Sequence, residues 1–135
     1  MVEKFEIIES AGGILVNNQH IALIKNVRAG FGGFPKGTIE TNETALEAAK
    51  REVEEETGIK NISSLKKLGT YKRNAADGSP VVLKNHIFLF ETMETKLNPS
   101  KKDALDAQWL LLNEVKDKLT LAEDKEFFQS IKKMI

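Results

Sequence analysis

The stretch Arg51-Glu52-Val53-Glu54-Glu55-Glu56-Thr57-Gly58-Ile59 places four glutamates within five positions. Like charges three or four residues apart destabilise a helix by about 0.2–0.5 kcal/mol per pair. Glu52, Glu55 and Glu56 stand at i, i+3 and i+4, so a helix would hold their carboxylates on one face within one turn. Such a face is either a solvated acidic surface or a site for a hard divalent cation, which prefers oxygen ligands. Glu54 lies outside this face and is predicted to be solvated.

Signals at both ends predict a helix around this stretch. Thr44 and Glu47 have the spacing of a capping box, and Gly58 suits the left-handed position that ends a helix. One arc of the helical wheel is apolar and contains Ala45, Leu46, Ala49 and Val53. The acidic arc lies next to it, so the helix should bury one stripe against a sheet while its carboxylates border a cleft. This favours the cation site over a solvated surface.

The remaining pattern predicts a single α+β domain over residues 1–135, with a mixed β-sheet flanked by helices. Residues 5–16 and 20–25 are predicted to form a hairpin joined at Asn17-Asn18. Further strands are expected at 65–72, 81–91 and around 107–112, and a docked helix at 123–134. The segment 29–37 contains four glycines and a proline and is predicted to be a loop.

Composition limits the chemistry. The chain has no cysteine and only two histidines, so a bound metal must be held mainly by oxygen. Twenty basic residues balance twenty acidic ones, which offers no bulk field for a nucleic acid or an anionic membrane. Residues 1–10 lack the apolar run of a signal peptide, and no segment has the length of a membrane span. A cytoplasmic location is therefore expected.

The spacing of the glycine segment and the acidic helix carries a family resemblance. Gly37 is followed after five residues by Glu43, and after seven more by the stretch Arg51 to Ile59. Together these residues fill every defining position of the Nudix box. The chain thus resembles the Nudix hydrolases, whose fold is an α/β/α sandwich. Asn42 stands where a glycine commonly precedes the box glutamate, and asparagine also tolerates the left-handed region.

The resemblance implies hydrolysis of a nucleoside diphosphate linked to another group, with Mg2+ as the usual cofactor and Mn2+ as a substitute. Its metal ligands would be the carbonyl of Lys36 and the carboxylates of Glu52, Glu55 and Glu56. Arg51 would bridge Glu43 and Glu52 and fix the direction of the Glu52 carboxylate. Metal-acidified water would then attack phosphorus.

The general base has several candidates. Some members of the family use the first box glutamate, here Glu52, and others use an acid from a later loop. Asp103, in the polar segment before the last strand, is slightly favoured, and Glu91 and Glu94 are further candidates. A solvated loop charge is an equally good interpretation of Asp103.

The substrate is indicated less directly. Phe34-Pro35-Lys36-Gly37 is similar to the entrance of the diadenosine tetraphosphate hydrolase branch and of diphosphoinositol polyphosphate hydrolases, although Gly32 stands where the first group often has tryptophan. Predicted substrate-binding residues are Phe31, Lys36, Tyr71, Lys84 and His86. Lys36, Lys72, Arg73 and Lys84 are the cations expected around the cleft mouth, where a polyphosphate would need them.

The leading hypothesis is hydrolysis of a dinucleoside polyphosphate such as diadenosine tetraphosphate, releasing ATP and AMP. The alternatives are a pyrophosphohydrolase acting on nucleoside triphosphates, ADP-ribose or an RNA 5′ end, and a non-catalytic Nudix-like nucleotide-binding module. Apart from such an RNA end, no nucleic acid and no membrane is expected as a partner. The protein is expected to be a monomer or a homodimer.

Overall fold

A computed structural model of the chain describes residues 5–26, 30–75, 77–100 and 104–135, and leaves out the side chains of 26, 30, 31, 104 and 105. The strands are β1 (Glu6–Asn17), β2 (His20–Asn26), β3 (Gly30–Gly33), β4 (Lys36–Thr38), β5 (Ser63–Asn74), β6 (Val81–Glu91) and β7 (Ala104–Leu111). The helices are α1 (Ala45–Thr57), α2 (Val115–Lys118) and α3 (Ala122–Ile131), with 3-10 turns at Leu112–Glu114 and Lys132–Met134.

The strands form one mixed sheet. Its main order is β3-β2-β1-β6-β5, with β4 paired to β1 and β7 paired to β2. β1 runs parallel to β6, and the other pairs are antiparallel. Asn18 and Gln19 have φ angles of 45° and 67°, the left-handed pair of a tight hairpin turn, so the predicted hairpin is confirmed with its turn one residue later.

Each face of the sheet carries its own core, because successive side chains of a strand point to opposite faces. Ile14 and Leu15 in β1 are both fully buried, Ile14 in the core under α3 and Leu15 in the core under α1. The two helices therefore cover opposite faces. The α/β/α sandwich that the resemblance implied is confirmed.

Helix α1 begins and ends where the sequence predicts. Thr44 and Glu47 make both hydrogen bonds of the capping box, and Gly58 is left-handed with φ of 79°. Val53 is buried against the sheet and Glu54 is exposed. Leu46 differs from the expectation, since 37% of it is exposed.

The prediction of a loop at 29–37 is wrong for the described residues, which contain strands β3 and β4. Lys36 in β4 lies opposite Gly12 in β1, and a Cβ on Gly12 would lie 2.2 Å from the carbonyl oxygen of Pro35. The missing side chain of Gly12 lets the two backbones approach. The helices of the described ranges are too short and too polar to span a membrane.

Candidate active site

The box glutamates lie where α1 meets β4. Glu52 and Glu56 are 2% and 4% exposed, while Glu55 is partly exposed. The backbone amide of Lys36 donates to Glu56 Oε2 at 2.9 Å. A Cβ on Gly37 would lie 2.4 Å from the Glu52 carboxylate, so only glycine fits at this position. The acidic face is therefore directed at the backbone of β4.

Arg51 holds this face together. Its Nε and Nη2 donate to the two oxygens of Glu43 at 2.6 and 2.9 Å, and its Nη1 donates to Glu52 Oε1 at 2.8 Å. This is the bridge between Glu43 and Glu52 that the box resemblance implies. Hydrogen bonds from Arg51, with a further one from the amide of Glu40, lower the pKa of Glu43 to about 2. The hydrogen bonds to Glu43 and Glu52 raise the pKa of Arg51.

The donor set suits a divalent cation. Arg51 Nη1 also lies 3.5 Å from Glu55 and 3.7 Å from Glu40, so four carboxylates share one guanidinium. These carboxylates carry more negative charge than the one guanidinium neutralises, and Mg2+ prefers oxygen ligands of this kind. No three acidic or histidine side chains of the described ranges already converge on one point. Binding of a metal would thus draw the carboxylates of Glu52, Glu55 and Glu56 closer together, and Arg51 can keep its contact with Glu52 Oε1 while Oε2 of the same carboxylate faces the metal.

A second polar cluster lies on the α3 side of the sheet, next to the box. The Lys36 ammonium lies among the charges of Asp124, Arg73 and Glu56, and burial lowers the pKa of this lysine. The Tyr71 hydroxyl donates to Asp124 Oδ1. Burial, with the neighbouring Asp124 charge, raises the pKa of Tyr71.

Asp124 was missed by sequence reasoning. It is 1% exposed and shares the buried stripe of α3 with Phe127, Phe128 and Ile131. An acid on an otherwise apolar stripe was the signal that could have found it. The ring of Tyr71 stacks on Phe127 with centroids 4.5 Å apart, so this tyrosine is fixed at the helix.

The predicted substrate-binding residues are divided between the two faces. Tyr71 faces α3, whereas Lys84 and His86 share a face with Phe88, which packs in the core under α1. His86 Nε2 lies 2.7 Å from Glu9 Oε1, and this hydrogen bond lowers the pKa of Glu9. The expected cluster of cations is divided too. Lys72 pairs with Lys84 across the strands and lies on the same face, whereas Lys36 and Arg73 belong to the cluster on the α3 side.

Two predicted residues cannot be placed. Asp103 and the side chain of Phe31 lie outside the described residues. Ser100, the last described residue before Asp103, donates through its amide and its hydroxyl to the carbonyl of Glu55, at 2.8 and 3.2 Å. Of the other base candidates, Glu91 is exposed and Glu94 accepts a hydrogen bond from the amide of Asn61 at 2.7 Å.

Comparison with known families agrees with this geometry. The model of the NUDIX domain matches residues 7–131. The chain belongs to the Nudix family. The match includes the whole box and both helices that cover the sheet, so the resemblance read from residues 37–59 extends over nearly all of the domain.

One curated relative aligns with nearly the whole chain. The chain is 31% identical over 137 residues to "Putative mutator protein MutT4" of Mycobacterium tuberculosis, covering 93% of this chain and 55% of that protein. It spans between a third and just over half of the length of the relatives with which it aligns.

Solved Nudix structures share the fold. A MutT protein from Methanosarcina mazei Go1 superimposes with a TM-score of 0.74 at 22% identity, covering 99% of this chain and 98% of that one. A binary complex of an Ap4A hydrolase from Caenorhabditis elegans also gives 0.74, at 17% identity and coverages of 94% and 96%. At these identities the likeness shows the Nudix fold alone.

Proposed function

We propose that this Nudix protein is a magnesium-dependent pyrophosphohydrolase that cleaves a phosphoanhydride bond of a nucleotide. The observation that carries the proposal is the pair of buried carboxylates at β4: Glu52 is oriented by Arg51, and Glu56 accepts a hydrogen bond from the amide of Lys36. A phosphoanhydride is itself anionic, so carboxylates can serve it only through cations placed between them. Mn2+ should substitute for Mg2+.

Each residue of the site has a chemical task under this proposal. Glu52, Glu55 and Glu56, with the carbonyl of Lys36, would hold the metal, which supplies an acidified water and neutralises phosphate oxygens. Arg51 keeps the Glu52 carboxylate oriented. The ammonium of Lys36, on the other side of β4, contacts substrate phosphate. Either Asp103 or Glu52 accepts the proton of the attacking water.

The proposed substrate is a dinucleoside polyphosphate such as diadenosine tetraphosphate, cleaved to ATP and AMP. The Phe34-Pro35-Lys36-Gly37 entrance supports it. The second candidate is a nucleoside triphosphate, which is supported by the name of a relative from Bacillus subtilis, "Putative 8-oxo-dGTP diphosphatase YtkD", 49% identical over 41% of this chain. ADP-ribose and RNA 5′ ends remain further substrates to test. The proposed location is the cytoplasm.

Product analysis tests the substrate. The pure protein is incubated with Mg2+ in oxygen-18 water with diadenosine tetraphosphate, nucleoside triphosphates, ADP-ribose and an RNA bearing a 5′ triphosphate. We expect diadenosine tetraphosphate to give ATP and AMP, with the label showing which phosphorus is attacked. Faster turnover of a nucleoside triphosphate would favour the second candidate. A protein that turns over none of these compounds, with Mg2+ or Mn2+, is a binding module.

The metal role of the box is tested with Glu55→Gln. Loss of one carboxylate ligand should lower kcat/KM by about 10–100-fold or more, because the metal is held less well. Glu54→Gln is the matched control, since Glu54 is exposed on the same turn of α1. Full activity of Glu55→Gln would contradict the assigned metal site.

In the same assay, Asp103→Asn should lower kcat about tenfold or more if this residue is the base.

A further inference from the structure

Arg73 is a buried cation that has no ion-pair partner among the described residues. It lies in β5 on the face that carries α3, and 8% of it is exposed. Its Nε makes no hydrogen bond, and no ion pair is formed by this guanidinium among the described residues. Burying a charge is costly unless it is paired. The buried guanidinium of Arg73 is therefore expected to lower the free energy of unfolding of the protein.

Asn85 is a second unpaired polar group beside it. Asn85 in β6 is fully buried, and neither its amide nitrogen nor its amide oxygen has a partner in the described structure. It pairs with Tyr71 across the strands, and Arg73 lies two residues further along β5 on the same face. Diagonal neighbours of this kind are within reach of long side chains.

Two cations meet in this cluster. Lys36 lies close to Arg73, and of the acids near Lys36, Glu56 accepts the amide of Lys36 and Asp124 accepts the hydroxyl of Tyr71. Lys36 and Tyr71, at the border of the cluster, are partly exposed. Because the Lys36 amide donates to Glu56, the cluster borders the candidate metal site directly.

We propose that Arg73 and Asn85 form an anion subsite that binds a phosphate group of the substrate beyond the two phosphates that the scissile bond joins. Arg73 donates through its guanidinium and Asn85 through its amide N–H groups, so the unpaired Nε of Arg73 and Nδ2 of Asn85 both gain an acceptor. This subsite requires a substrate with at least one further phosphate beyond the scissile bond. The inference rests on the proposed function and names the residues that select for polyphosphate length.

Direct binding of inorganic tripolyphosphate tests the subsite without turnover. Titration calorimetry in EDTA compares the wild-type protein with Arg73→Met and Asn85→Asp. Both changes should weaken binding about tenfold or more, the first by removing the cation and the second by placing a carboxylate beside it. Lys66→Met, an exposed cation of the same strand, is the matched control and should bind within twofold of wild type. Wild-type affinity in Arg73→Met or Asn85→Asp would overturn the proposal, as would a wild-type protein that binds no tripolyphosphate.

Stability distinguishes a binding role from a structural one. If Arg73 is retained for an anion, Arg73→Met should melt at or above the wild-type temperature, and Asn85→Asp should melt higher because the new carboxylate pairs with Arg73. A structural role predicts the opposite shifts. In hydrolysis assays, Arg73→Met should raise KM for diadenosine tetraphosphate about tenfold with kcat nearly unchanged. If the wild-type protein turns over no nucleotide, the proposed function fails while the binding result still decides the subsite.

Discussion

At the scale of single residues, the contact between Arg51 and Glu43 makes stability depend on pH. Hydrogen bonds from Arg51, with a further one from the amide of Glu40, lower the pKa of Glu43 from 4.5 to about 2. A carboxyl group with a lowered pKa stabilises the fold above its unfolded pKa, and this contribution is lost as the pH falls through the folded pKa. Glu43→Gln should therefore lower Tm at pH 7 but not at pH 2.

Thermal melts of wild type and Glu43→Gln, followed by circular dichroism from pH 7 to pH 2, measure this difference. The gap in Tm should be constant down to about pH 4.5 and close between there and about pH 2. Glu54→Gln, which removes an exposed charge from the same helix, should show no such closing gap. A difference in Tm that persists at pH 2 would mean that Glu43 acts through packing rather than through its charge.

At the scale of elements, the N-terminus of α1 is fixed by its capping box. Thr44 Oγ1 accepts from the Glu47 amide at 3.1 Å, and the Glu47 carboxylate accepts from the Thr44 amide at 2.9 Å. Thr44→Ala should lower the free energy of unfolding by about 1 kcal/mol, because one amide of the first turn loses its acceptor.

Urea unfolding of Thr44→Ala and of Thr41→Ala, an exposed residue just outside the helix, measures the cap directly. We expect kcat of Thr44→Ala to stay within about twofold of wild type, since fraying at a terminus does not extend beyond the first turn. The metal-site glutamates lie in the C-terminal half of α1. Equal unfolding free energies for the two variants would show that the capping box does not stabilise the protein.

The sequence predicts elements whose signals are local. The ends of α1 follow from Thr44, Glu47 and Gly58, and Asn42 has the left-handed φ of 68° that its replacement of glycine requires. Strands β3 and β4 were missed because glycine and proline indicate loops. What makes β4 a strand is its ladder with β1, a tertiary contact that no local signal contains.

The candidate site divides in the same way. The Arg51 network lies within one segment of the chain, so motif spacing was sufficient to predict it. The α3-side cluster brings together residues from β4, β5, β6 and α3, and its composition depends on the register that sets Asn85 opposite Tyr71. Alternation along β6 correctly placed Lys84 and His86 on one face of the sheet. The pattern of β6 alone could not show that Tyr71, in β5, lies on the opposite face.

At the scale of the whole molecule, both cores depend on the same strands. β1 buries Ile14 under α3 and Leu15 under α1, and β6 likewise contributes Leu89 to one core and Phe90 to the other. Loss of either core would expose a face of these shared strands. The domain should therefore unfold as one cooperative unit, as small single domains usually do.

Phe128→Ala tests this cooperativity. Phe128 is fully buried in the core under α3, so the truncation should cost about 3–5 kcal/mol. Trp109, the one tryptophan of the chain, packs against the other core, and its fluorescence reports that side of the sheet. The urea midpoints from Trp109 fluorescence and from far-ultraviolet circular dichroism should fall together. Met93→Ala, at a residue that is 95% exposed, should move neither midpoint. A Trp109 midpoint that stays at its wild-type value while the dichroism midpoint falls would mean that α3 undocks separately and that the two cores are independent.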